Sequence, residues 1–144
     1  MKPTLEGGAF PRGLVNGEVT WTGVDGYVGT TGAGKQFGIY NSDSPSPMEM
    51  VLHGHAACSL IDIIDGLKHR KEKLDFIRVE VEADRAEESP KVFTSVRMHY
   101  IVSGDVPETL VRRLIESSHE NFCSVGIMIT RSGASLEWTL EMES

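Results

Sequence analysis

The chain has 144 residues, of which 40% are hydrophobic and 24% charged, the composition of an ordinary soluble globular protein. Fourteen basic against 21 acidic residues give a formal charge of −7, which disfavours nucleic acid and anionic membrane as partners. No uninterrupted apolar stretch is long enough to cross a bilayer, and no signal peptide is recognisable, so we expect a cytoplasmic protein. The length predicts one domain over residues 1–144, with residues 1–13 as a loose N-terminal arm.

The first third of the chain predicts short strands joined by turns. Apolar and polar residues alternate over residues 15–21, as in a half-buried strand. Residues 23–38 are rich in glycine and threonine and predict hairpin turns around a short strand, with another strand near residues 37–40. Residues 29–36 nearly match a nucleotide-binding loop, Gly-x-x-x-x-Gly-Lys-Ser/Thr, but Gln36 replaces the hydroxyl that would bind magnesium. We therefore interpret this segment as a glycine-rich hairpin turn.

A long helix follows, and its start is well marked. Ser46 is a suitable N-cap, Pro47 the first helical residue and Glu49 the third, which together form a capping box. The helix is predicted to reach about residue 70 and is apolar on nearly every side, which is typical of a buried helix. One small sheet cannot cover such a helix. We therefore expect a second subunit to cover the remainder, in a homodimer.

The second half of the chain predicts a hairpin, a helix and a final strand. Residues 76–85 alternate between apolar and charged, and residues 91–102 are predicted to form the second strand. Together they predict an antiparallel hairpin with one face exposed to water. A helix is predicted over residues 107–121, a short element of either type over 124–130, and a last strand over 136–142. This order predicts an α+β fold with antiparallel sheets around a long central helix.

The two cysteines are the main candidates for chemistry. Cys58 lies inside the long helix and Cys123 follows the second helix, and each comes about one helical turn after a histidine, His55 or His119. In a reducing compartment such a set indicates catalysis or metal binding rather than a structural disulfide. Two interpretations stay open at this point. One is a redox-active thiol pair, and the other is a Cys₂His₂ zinc site formed by all four residues.

The surroundings of each thiol give further expectations. If the element after Cys123 is a helix, this thiol lies at a helix N-terminus, which lowers its pKa. A protonated His55, on the same helix face as Cys58, would favour the thiolate, although a neutral buried histidine is the simpler interpretation. His119 is expected at the surface. Glu49 is fully accounted for by the capping box, and it falls on the opposite side of the helix from Cys58.

Two motifs in the chain resemble those of the OsmC/Ohr family of thiol peroxidases. Residues 46–59, Ser-Pro-Met-Glu-Met-Val-Leu-His-Gly-His-Ala-Ala-Cys-Ser, are similar to its central-helix motif, and residues 118–125, Ser-His-Glu-Asn-Phe-Cys-Ser-Val, resemble its second-cysteine motif. The resemblance implies an intertwined homodimer without a cofactor. It implies that Cys58 attacks an organic hydroperoxide and that Cys123 closes a disulfide, which a dithiol reductant, for example of the lipoyl type, then reduces.

The chain departs from the family pattern at two places. The family's catalytic glutamate follows the proline, where this chain has Met48, and the nearest carboxylate is Glu49. The family's arginine lies in the early hairpin, where residues 23–29 contain none. These features resemble a Pro-Met-Glu branch of the family. They keep a second function open, a non-catalytic protein that binds a small molecule or senses redox state.

Overall fold

The computed structural model describes residues 14–143. The predicted N-terminal arm, residues 1–13, lies outside the described residues, as does Ser144. The described chain forms two compact units that divide between Met50 and Val51. Each unit contains its own three-stranded sheet. The single domain expected over residues 1–144 therefore stays a prediction.

The first unit contains three short antiparallel strands: β1 (Gly17–Trp21), β2 (Tyr27–Thr31) and β3 (Gln36–Ile39). The turn between β2 and β3 is closed by a hydrogen bond of 2.8 Å from the Thr31 amide to the Lys35 carbonyl. Gly34 in this turn has a φ of 89°, a conformation that favours glycine. The segment that nearly matches a nucleotide-binding loop is thus a hairpin turn, as predicted.

The long helix begins at the predicted capping box. Helix α1 (Pro47–Leu67) is followed by a 3₁₀-helix (Lys68–Lys73). The Ser46 amide donates to Glu49 Oε1 at 3.1 Å, and the Glu49 amide donates to Ser46 Oγ at 3.2 Å. These two reciprocal bonds satisfy amides that the first helical turn leaves unpaired. They also give the Glu49 carboxylate a structural role at the start of the helix.

By length and composition alone, the helical segment Pro47–Lys73 is long and apolar enough to cross a membrane. Asp62 and Asp65 interrupt its apolar residues, in keeping with the expectation that no uninterrupted apolar stretch has that length. Core helices of soluble proteins meet the same criterion, so the finding is weak support for a membrane location.

The second unit contains a mixed sheet of three strands: β4 (Leu74–Arg85), β5 (Phe93–Gly104) and β6 (Ser135–Glu143). The antiparallel β4–β5 hairpin was predicted correctly. The final strand pairs with β5 in parallel, so the expectation of purely antiparallel sheets was wrong for this pair. A parallel neighbour needs a crossover connection, and helices α2 (Glu108–Ser117) and α3 (Ser124–Arg131) provide it. The α+β class and the long helix are confirmed.

The core of this unit joins α1 to β5 and α2. Ile63 and Leu67 of α1 are buried, as is Tyr100 of β5, whose hydroxyl lies 2.6 Å from Ser59 Oγ of the helix. A side chain at Gly66 would collide with Leu114, so glycine allows α2 to approach α1 closely. This packing brings the middle of α1 against the segment between α2 and α3. Both cysteines lie at that contact.

Candidate functional site: a buried thiol pair

Cys58 lies on a face of α1 that also carries a carboxylate. Asp62 follows Cys58 by four residues, and side chains at this spacing are neighbours on a helix. Cys58 and Asp62 are half-buried, while the adjoining stripe of Ser59 and Ile63 is fully buried. The Cys58 thiol therefore lies at the border of the core, where a small molecule could still reach it.

Cys123 is held at the junction of two helical segments. A π-helical turn (Ser118–Phe122) extends α2, and Cys123 then forms the N-cap of α3. Its sulfur accepts a hydrogen bond of 3.4 Å from the Gly126 amide and lies 3.8 Å from the His55 carbonyl oxygen of α1. The side chain is fully buried. The predicted helix N-terminus is confirmed, and the sulfur is the capping acceptor.

The packing brings the two thiols together with one carboxylate. The Sγ atoms of Cys58 and Cys123 and one carboxylate oxygen of Asp62 all lie within 4.8 Å of one another. Both cysteines are free thiols. In residues 14–143 these are the three donors close enough to share a metal ion, and neither histidine ring belongs to the group. The proposed Cys₂His₂ zinc set is therefore not assembled.

Burial keeps Cys123 protonated. The pKa of the Cys123 thiol is raised to about 12, first by burial and then by the neighbouring Cys58 and Asp62, while the hydrogen bond from the Gly126 amide lowers it. The expected lowering by a helix N-terminus is present, but burial outweighs it. At neutral pH Cys123 is thus a protonated thiol and not a thiolate.

The two histidines are neutral neighbours of the site. His55 is fully buried, burial lowers its pKa, and its ring nitrogens have no hydrogen-bond partner in the described part of the chain. It therefore carries no charge that could stabilise a thiolate at neutral pH. Burial is the main cause, and the neighbouring His55 the second, of a lowering of the pKa of His119 to about 4. His119 is half-buried rather than fully at the surface as expected, and its Nε2 lies 2.9 Å from the Tyr100 hydroxyl.

A chain of hydrogen bonds connects the carboxylate of the site to His119. Ser118 Oγ donates to Asp62 Oδ2 at 2.8 Å and lies 3.3 Å from Ser59 Oγ. The Ser59 hydroxyl lies 2.6 Å from the Tyr100 hydroxyl, which in turn contacts His119. Ser59, Ser118 and Tyr100 are each less than 2% exposed. The sequence analysis missed this network and Asp62, although the spacing of four residues between Cys58 and Asp62 was a usable signal.

Taken together, these features define an α+β protein with a candidate thiol redox site on its long helix. The model of the family described as OsmC-like protein matches residues 40–139, more than half of the chain. The chain therefore belongs to the OsmC-like family. It is 33% identical over 118 residues to protein YhfA of Escherichia coli K12. The aligned region covers 79% of this chain and 88% of YhfA.

Solved structures share the fold. A hypothetical protein from Aquifex aeolicus VF5 superposes with a TM-score of 0.78 and 23% identity, covering 91% of this chain and 98% of that one. An organic hydroperoxide resistance protein from Elizabethkingia anophelis superposes with a TM-score of 0.66 and 18% identity, covering 90% of this chain and 96% of that one. At these identities the likeness concerns the fold alone.

Proposed function

We propose that this protein is a thiol-dependent peroxidase that reduces organic hydroperoxides, with Cys58 as the nucleophile and Cys123 as the resolving cysteine. The observation that carries the proposal is the proximity of the two sulfurs, within 4.8 Å, in a chain with no other cysteine. Their burial differs in the sense the reaction requires. The half-buried Cys58 can meet a substrate, while the buried Cys123 is held ready for the second step.

The cycle balances with two thiols and an external reductant. The Cys58 thiolate attacks the terminal oxygen of the hydroperoxide, so that an S–O bond forms, the O–O bond breaks and the departing alkoxide takes up a proton. Cys58 is thereby oxidised to a sulfenic acid. The Cys123 sulfur then attacks the Cys58 sulfur, and hydroxide leaves with the Cys123 proton as water. A dithiol reduces the resulting disulfide by exchange and becomes a disulfide itself.

Exposed apolar side chains on α1 support an organic hydroperoxide as substrate and a second subunit. Among residues of α1, Val51 is 40% exposed and Ile61 is 59% exposed, although apolar side chains of this size are usually buried. A homodimer would cover them and give the site an apolar wall. The proposal needs no cofactor, and a lipoyl-type dithiol is one candidate for the reductant. A cytoplasmic location would keep the resting pair reduced.

The test is consumption of cumene hydroperoxide with dithiothreitol as reductant. We expect turnover by the wild type, none by Cys58→Ser, and a persistent sulfenic acid that dimedone traps in Cys123→Ser. Wild-type protein treated with one equivalent of peroxide should lose the mass of two hydrogens, because a disulfide forms. Equal rates in the wild type and Cys58→Ser would contradict the proposal. Disulfide formation without turnover would also contradict it and would favour a redox sensor.

A further inference from the structure

We propose that Asp62 is the acid–base group of the thiol site, and that Ser118, Ser59, Tyr100 and His119 position its carboxylate. This inference rests on the proposed peroxidase function and adds to it a residue that takes up and returns the proton. Asp62 is the carboxylate that the described residues bring within 4.8 Å of both sulfurs. That separation can be bridged by one water molecule or by a small rotation of the side chain.

The hydrogen-bond chain ends at Asp62. A carboxylate only accepts, so Ser118 Oγ donates to Asp62 Oδ2 at 2.8 Å. Ser118 Oγ is also the donor in the longer contact of 3.3 Å to Ser59 Oγ, so its proton is shared between two acceptors, of which Asp62 is the nearer. The Ser59 and Tyr100 hydroxyls lie 2.6 Å apart, and either can be the donor.

The far end of the chain is the contact between Tyr100 and His119. His119 Nε2 lies 2.9 Å from the Tyr100 hydroxyl, and the imidazole is neutral at neutral pH, in keeping with its lowered pKa. The chain therefore links these polar groups to the carboxylate through Ser118. The hydrogen bond that Ser118 donates holds the Asp62 side chain in one orientation.

The sign of the electrostatic effect excludes a simpler role for Asp62. A negative carboxylate disfavours a neighbouring thiolate, and Asp62 indeed contributes to raising the pKa of Cys123. Asp62 therefore does not activate the thiols by charge stabilisation. A carboxylate kept beside two thiols is instead suited to moving protons between sulfur and oxygen.

The proton balance gives Asp62 a task in both steps. In the first step the carboxylate takes the Cys58 proton, and it returns this proton to the alkoxide that leaves when the O–O bond breaks. In the second step it takes the Cys123 proton and passes it to the hydroxide displaced from the Cys58 sulfenic acid, which leaves as water. Asp62 ends each step ionised, as it began.

The experiment compares two reactions of the same thiol. Peroxide reduction needs a proton for the leaving oxygen, whereas alkylation of Cys58 by iodoacetamide needs only the thiolate. We measure single-turnover reduction of cumene hydroperoxide at neutral pH, and alkylation in a Cys123→Ser background. The matched control is Asp65→Asn, which removes the same charge from an exposed position of the same helix.

We expect Asp62→Asn to slow peroxide reduction by about 100-fold or more, the range of general acid–base catalysis. Alkylation should stay equal or become faster, because a negative charge beside Cys58 is removed. Ser118→Ala should slow peroxide reduction by a smaller factor and leave alkylation unchanged. Asp62→Glu keeps a carboxylate and should recover part of the rate, which also serves if the asparagine variant folds poorly.

The outcomes separate this inference from the proposed function. A wild type that consumes no peroxide overturns both. An active wild type whose Asp62→Asn variant matches it overturns only the role of Asp62. A variant in which peroxide reduction and alkylation fall together, with Asp62→Glu no better, also overturns the acid–base role, because that pattern reports a disturbed site.

Discussion

The polar side chains on the two faces of strand β5 form different kinds of interaction. Arg97 and His99 point to the exposed face of the sheet, while Met98 and Tyr100, the residues between and beside them, are buried. The exposed face uses charges, and the buried face uses neutral hydrogen bonds. Consecutive side chains of one strand therefore alternate between water and the protein core.

On the exposed face, Arg97 is the centre of an ion-pair network. Its Nε lies 2.6 Å from Glu82 and its Nη1 lies 2.9 Å from Asp84, both on the neighbouring strand β4. Hydrogen bonds from Arg97 and Ser95, together with the charge of Arg97, hold the pKa of the Asp84 carboxyl below its usual value. All these groups remain in contact with water, so each bond replaces a hydration bond of nearly equal strength.

On the buried face, Tyr100 joins the hydrogen-bond chain between His119 and Asp62 without any charge of its own. Burial raises the pKa of the Tyr100 hydroxyl, which therefore stays protonated. Here a lost partner is not replaced by water, so each missing bond costs the full desolvation of the group left behind. The comparison predicts large effects from changes on the buried face and small ones on the exposed face.

The largest effect should come from protonating His119, which is half-buried. The pKa of His119 is lowered from 6.5 to about 4, so between these values the unfolded chain binds a proton that the folded chain does not. The contribution of a neutral His119 to the unfolding free energy is therefore complete above pH 6.5 and is lost as the pH drops toward 4. We expect a loss of roughly 2–3 kcal/mol in unfolding free energy from this residue. Urea unfolding at a series of pH values measures it.

A glutamine variant isolates the contribution of His119. His119→Gln can donate a hydrogen bond to Tyr100 but does not titrate, so the stability should vary less steeply between pH 6.5 and 4. The remaining slope should come largely from His55, whose pKa is also lowered by burial. The control is His69→Gln, an exposed histidine. An unchanged slope in His119→Gln would contradict the lowered pKa, because it would mean that the folded and unfolded chains bind the His119 proton equally between pH 6.5 and 4.

The next largest effect should come from removing the Tyr100 hydroxyl. Tyr100→Phe keeps the ring packing but leaves Ser59 Oγ and His119 Nε2 without their partner. We expect a loss of about 1–3 kcal/mol in unfolding free energy, the cost of an unsatisfied buried polar group. The denaturation midpoint with an unchanged m-value measures it. Tyr40→Phe, at a side chain that is 63% exposed, should cost far less, and equal losses in the two variants would count against the buried chain.

The fold was largely predictable because its signals are local. The capping box at Ser46, the alternation in the β4–β5 hairpin and the turn near Gly34 each act through neighbours in sequence, and all were confirmed. The parallel pairing of β6 was not predicted, because alternation places residues on a face but does not give the strand direction. That direction depends on how α2 and α3 cross the sheet.

The site was predictable only in part. The two cysteines were recognised by their number and their motifs, and the structure brings them together. The contact of His119 with Tyr100 and the network through Ser118 could not be read from spacing, because they join residues that lie 19 to 59 positions apart. Asp62 could have been found, but a carboxylate among apolar helical residues has no obvious partner until the second cysteine is placed.

The smallest effect should come from the exposed face, where Arg97→Gln removes the centre of the ion-pair network. Glu82 and Asp84 stay hydrated after the change, so no desolvated charge is left behind. We expect a shift of the denaturation midpoint smaller than that of Tyr100→Phe, and we expect it to shrink further in concentrated salt, which screens exposed charges. The two variants are compared at low and high sodium chloride. A larger shift for Arg97→Gln, insensitive to salt, would mean that the charged face contributes more to stability than the buried chain, and the contrast between the two faces of β5 would be reversed.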